Sequence, residues 1–191
     1  MQTRQNYGGL DVFRLVAAFL VIAIHTSPLT CFGANADFFL TRVLARVAVP
    51  FFFMVTGQFI VSRFFQGTNG RASLIKSLTK LSLLYLAAIV LYVPIGLYGG
   101  HYKVLSLGSA LRLLFFDGTF YHLWYFPACL LGLCLVYLMS RKLSLRNSLA
   151  IALFIYLIGL MGDSYYGLAQ SIPVLDAFYQ GGFQVFSYTR N

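Results

Sequence analysis

An all-α, multipass transmembrane helical bundle is the fold this sequence predicts, on three observations. Of its 191 residues, 59% are hydrophobic and 10% charged, and the mean hydropathy is +0.77. A soluble domain holds about 45–50% apolar and about 25% charged residues, so a water-soluble fold is excluded. The apolar residues gather into runs close to the roughly 20 residues that carry a helix across a bilayer. The five acidic residues are all Asp, with no Glu to furnish the wet faces of a soluble bundle.

Five spans follow in order. The first apolar run, Leu10 to Thr26, ends at Pro28, and Asn35 and Asp37 mark a short polar loop after it. The second covers Val43 to Phe65 with Pro50 and Gly57 inside, both tolerated where neighbouring helices re-satisfy the backbone. Residues Gln66 to Lys80 are polar and basic. The third span is Leu81 to Tyr98, kinked at Pro94 and closed by the turn Gly99 to Lys103. Val104 to Phe116 is amphipathic and too short to cross, which makes it an interfacial helix or a lid. The fourth span is Leu123 to Met139 and the fifth Leu145 to Met161, separated by the cationic RKLSLR. The sequence carries no internal repeat and no soluble domain, so residues 1–191 read as one membrane domain.

Charge gives orientation. With the N-terminus inside, nine cations (Arg4, Arg14, Arg63, Arg71, Lys76, Lys80, Arg141, Lys142 and Arg146) are cytoplasmic, and five (Arg42, Arg46, Lys103, Arg112 and Arg190) are not. That bias favours an N-terminus inside. The net charge of +9 is spread singly between apolar blocks, which excludes a nucleic-acid partner. Cys31, Cys129 and Cys134 stand apart from one another and from histidines at ligand spacing, so neither a disulfide nor a metal site is expected. Asp11 and Arg14 interrupt what would be the core of a cleavable signal peptide, so the first span is expected to stay in the mature chain.

Ionisable groups inside a span are costly and default to function or to buried pairs. Arg14 and His25 are eleven residues apart. At about 100° and 1.5 Å per residue they return to within roughly 20° of one face, about 16 Å apart along the axis. Arg14 at the cytoplasmic end suits an anion such as a phosphate, and His25 further out suits proton abstraction from a hydroxyl. The alternatives are that Arg14 snorkels or pairs with Asp11 at i, i+3, while His25 caps the helix.

GLDVFRLVAAFLVIAIH resembles the first span of the acyltransferase-3 family of integral-membrane acyltransferases, an Arg, ten residues, then a His. VAVPFFFMVTGQFI resembles the family's second-span motif, with Thr56 where Ser is common. HLWYFPACLLGL resembles its HLWY segment, and the closing SYTRN its Thr-Arg-Asn. ARVAVPFFF and FSYTRN look like the subgroup fused to membrane serine racemases of vancomycin-resistance type.

The resemblance implies transfer of an acyl group, usually acetyl, from cytoplasmic acyl-CoA to a hydroxyl of a cell-envelope glycan or related acceptor at the outer face. It makes His25 the catalytic group and Arg14 its partner. It implies no tightly bound cofactor, the cytoplasmic membrane as location and the bilayer as surroundings. Lys76 and Lys80, at i, i+4, resemble a basic pair that meets the phosphates of coenzyme A, or else they anchor span three on the positive-inside side. His122, Trp124 and Tyr125 wall the acceptor site, or belong to an interfacial aromatic belt. Thr56-Gly57 is a close helix crossing or supplies a hydroxyl. His101 reads as a solvated loop histidine. The family has about ten spans, so five imply the N-terminal half of the domain, with the missing half as a partner, and a chain inert by itself. The racemase fusion adds an alternative, a transport or substrate-supply role with a serine-like ligand. Racemisation itself is not expected here, because no pyridoxal-phosphate barrel is present.

Overall fold

In a computed structural model the residues described are 7–66, 69–100, 106–120, 122–162 and 165–182, and all their regular structure is helical. His101, Lys103, Arg4 and the closing Ser187 to Asn191 motif lie outside them. Four helices are long and apolar enough to cross a membrane: α1 (Gly8–Thr26), α2 (Ala34–Phe65), α3 (Gly70–Tyr98) and α6 (Leu145–Gly162). Between them lie a short helix α4 (Leu107–Arg112), continued by a π-helical turn Leu113–Asp117, and α5 (Tyr125–Lys142); α7 (Tyr166–Ala169) and α8 (Pro173–Gly182) follow. The chain is a multipass membrane protein.

The helix α5 sits where the fourth span was expected but is not among the four. It opens on Tyr125 and Pro127 and closes on Ser140, Arg141 and Lys142, which lowers the hydropathy of a helix of only 18 residues. Two other boundaries also shift. Asn35 and Asp37, expected in a polar loop, belong to the first turns of α2, and Asp37 is buried. The basic stretch before span three is already helical from Gly70, so α3 runs for 29 residues.

Two compact units form, Met1–Ser62 and Arg63–Asn191. In the first, α1 ends because Ser27 adopts a left-handed conformation, φ 44°, its N–H donating to the Ala23 carbonyl, and Pro28 cannot continue the helix. Ala17 and Ala48, both fully buried, meet beside Phe51, and their small side chains bring α1 and α2 close. Phe13 packs edge-on against Phe51 at 4.6 Å, and Tyr7 edge-on against Phe59 at 5.1 Å. Because the contacts run in opposite order along the two helices, they are antiparallel. Within α2, Phe39–Leu44 is π-helical, Ala45–Val47 a 3-10 turn, and Gly57–Val61 π-helical again. The 3-10 turn lies just before Pro50, which lacks the N–H that would bond to the Arg46 carbonyl.

In the second unit α3 packs on α5, with Tyr85 stacked on Phe126 at 5.5 Å. The Tyr85 hydroxyl donates to the Leu114 carbonyl at 3.1 Å and accepts the Thr119 N–H at 3.3 Å, tying the segment after α4 to α3. Arg112 Nε pairs with Asp117 at 2.8 Å inside that segment. Gly118 is required where it stands: its φ is 81°, and a Cβ would lie 2.5 Å from the Trp124 nitrogen.

Candidate functional site

Arg14 and His25 share α1, as the spacing predicts, and the helix geometry sets them about 16 Å apart along its axis. Arg14 is half-buried on the face that also carries Leu10, Ala17 and Val21 toward α2. Its Nη1 pairs with Asp11 Oδ1 at 2.5 Å, so the i, i+3 ion pair forms. One guanidinium edge is thereby occupied; the remaining N–H groups are enough for a second, bidentate anion. The guanidinium carbon lies 5.5 Å from the centre of the Phe59 ring, within cation–π range.

His25 sits in the last turn of α1 and is exposed. That end of the helix packs against the π-helical Phe39–Leu44. The connecting loop is fixed by Asp37, whose Oδ1 accepts the Leu29 N–H at 3.0 Å, while the Thr41 hydroxyl donates to the Asp37 carbonyl at 2.8 Å. The chain returning from His25 is therefore pinned by a buried carboxylate, which sequence reading placed in an open loop.

In the second unit Lys76 and Lys80 lie one turn apart near the start of α3, both exposed. Neither has a carboxylate partner among the described residues. His122 sits in the turn before α5 with both ring nitrogens shielded from solvent. Its ring meets Tyr92 edge-on at 4.6 Å and lies 5.4 Å from Phe120. Trp124 is 43% exposed, and Tyr125 is half-buried with its ring 6.0 Å from Phe126. His122, Tyr92 and Phe120 thus form an aromatic cluster, while Trp124 is exposed.

Among the described residues a Cβ at Gly57 would meet nothing within 4 Å, so no close crossing is seen at Thr56-Gly57, and Gly57 opens the second π-helical turn. Sequence reasoning missed Phe59, Asp37, Tyr85 and Tyr92. Tyr85 and Tyr92 are seven residues apart and so share a helix face, a signal that could have found them. Asp37 leaves no such signal. Cys31 is an exposed thiol, Cys129 a buried one and Cys134 half-buried.

A family model described as an acyltransferase domain matches residues 7–189. An amino-acid racemase of Enterococcus faecalis is 44% identical over 192 residues, covering 100% of this chain and 27% of the relative. A second amino-acid racemase of Enterococcus faecalis is 41% identical over 196 residues, with 100% of this chain and 27% of that protein covered. A serine/alanine racemase of Enterococcus gallinarum is 36% identical over 186 residues, covering 96% of this chain and 26% of the relative. The chain spans about a quarter of the length of the curated relatives it matches. No solved structure matches it.

Proposed function

The chain belongs to the acyltransferase-3 family, and from that membership we propose that it acts in transfer of an acyl group, acetyl first among them, from cytoplasmic acyl-CoA to a hydroxyl across the membrane. The observation that carries this reading is the pairing of Arg14 and His25 on one spanning helix, a cation at one depth and a base about 16 Å away. Arg14 takes a donor phosphate through its unoccupied N–H groups. His25 accepts the acceptor's hydroxyl proton as the oxygen attacks the thioester carbonyl. The carbon–sulfur bond breaks, and the coenzyme A thiolate leaves and takes the proton held by the His25 imidazolium, which restores the base. Lys76 and Lys80 add charge for the donor phosphates; His122, Trp124 and Tyr125 contribute to the acceptor wall. The acceptor class we favour is a cell-envelope glycan, and the location the cytoplasmic membrane.

We place the N-terminus inside, from the nine-to-five cation bias, and count five crossings, α5 included for its apolar middle from Ala128 to Met139. Further helices, in the same polypeptide or another, are the partner that completes the bundle around the charged face of α1.

A second reading rests on the relatives, which are named amino-acid racemase and serine/alanine racemase. Here the membrane helices handle a serine-like amino acid, and His25 hydrogen-bonds it without taking its proton. One experiment separates the two. The chain is reconstituted with the sequence that continues it in its gene, if any, and supplied with labelled acetyl-CoA and hydroxyl acceptors. Acyl transfer should fall about 10²–10⁴-fold in His25→Ala, the usual contribution of a general base, with membrane insertion unchanged. Turnover equal to that of the unmutated protein refutes the catalytic role. Saturable serine binding without any acyl transfer selects the second reading.

A further inference from the structure

Phe59 belongs to no charged or nucleophilic set and plays no part in the chemistry above, yet it touches the one cation of α1. On α2 the buried Ala48 and Phe51 are followed by half-buried Val55 and Phe59, each three or four residues on, so Phe59 continues the same face to the Arg14 level. Its ring centre is 5.5 Å from the guanidinium carbon, and the Tyr7 ring stands edge-on to it at 87°. It lies in Gly57–Val61, the second of two π-helical turns in α2, and such turns are frequent at functional sites.

We propose that Phe59 is the positioning residue of Arg14: its ring holds the guanidinium by cation–π attraction while Asp11 takes one edge, so that the remaining N–H groups stay presented to an anion. A phosphate-bearing donor then meets a pre-oriented fork instead of a free, rotamer-rich side chain, and less conformational freedom is lost on binding. The anion's identity rests on the acyl-CoA reading; the ring contact does not.

The test uses the full chain in detergent micelles with ¹⁵N-labelled arginine. A guanidinium over a ring face is shifted upfield by the ring current. The Arg14 Nε–H signal, identified by its loss in Arg14→Gln, should stand upfield of the other arginines. It should move to their position in Phe59→Leu and stay in Phe59→Tyr, which keeps the ring. Titration with coenzyme A should show about fivefold weaker binding in Phe59→Leu, the equilibrium factor for about 1 kcal/mol of cation–π energy. In an Arg14→Gln background the same change should have no further effect, whereas a merely structural role would weaken binding there too. If Phe59→Leu does not fold, Phe59→Met replaces it. An Arg14 signal indifferent to Phe59, or equal losses in both backgrounds, overturns the proposal. Ring-dependent Arg14 with no coenzyme A binding by the unmutated chain sustains the positioning role and removes the donor-side reading of Arg14.

Discussion

Asp37 shows how a single buried group governs the chain around His25. It is 8% exposed and its Oδ1 accepts the Leu29 N–H at 3.0 Å, so the turn after α1 is closed by a side chain from α2. Replacing Asp37 by Leu leaves that N–H without its acceptor, and an unsatisfied buried donor costs about 1–3 kcal/mol. Thermal unfolding in detergent should show Asp37→Leu clearly less stable, with Asp37→Asn close to the unmutated chain because the amide oxygen still accepts. Equal stability of Asp37→Leu would show the bond to be unimportant. At this scale the sequence spoke clearly only where charge met an apolar run. Arg14 and His25 stand out because ionisable groups in a span are rare; Phe59 does not, because with nineteen Phe in the chain a ring on a packed face is unremarkable. Asp37 was misplaced because Asn35 and Asp37 read as turn chemistry, and only the tertiary contact to Leu29 turns them into a helix start.

Among the elements, hydropathy located the starts or ends of α1, α2, α3 and α6 well, since in lipid every backbone group must be satisfied within its own helix. It could not find the irregular turns inside α2, nor the true start of α3, because polarity alone does not distinguish an exposed helical turn from a loop. Val104 to Phe116 reads as an interfacial helix or a lid; residues 106–119 form a capped helix, a π turn and a glycine corner. Ser106 accepts the Ser109 N–H at its start, and Tyr85 grips its end. Tyr85→Phe keeps the ring stacked on Phe126 and removes only the hydroxyl. Deuterium exchange of amides 113–119 should then accelerate about fivefold, matching roughly 1 kcal/mol for the lost hydrogen bonds, while α3 itself stays protected. Unchanged exchange there would mean that Gly118 and the Arg112–Asp117 pair hold the segment by themselves.

For the molecule as a whole, the proposed orientation has a direct chemical readout in native Cys31, an exposed thiol in the loop after α1. In intact cells an impermeant maleimide should label Cys31 from outside, and a cysteine introduced at Gln66 should label only after permeabilisation. The reverse pattern would invert the topology and move Arg14 to the outer face. The length of α3 bears on that topology too. At 1.5 Å per residue its 29 residues extend about 43 Å, against a hydrocarbon core of about 30 Å. The surplus is not a loop but a stiff overhang bearing Arg71, Lys76 and Lys80. On such a mast the spacing of the two lysines is fixed by the helical repeat, with Cβ atoms about 5–6 Å apart, and does not depend on what a flexible tether would allow. In the proposed topology the same rigid cations would act as a waterline: sinking or raising them moves the whole helix with Tyr85 and Tyr92 on it, so the thickness of the surrounding bilayer is expected to set the depth of the aromatic cluster around His122.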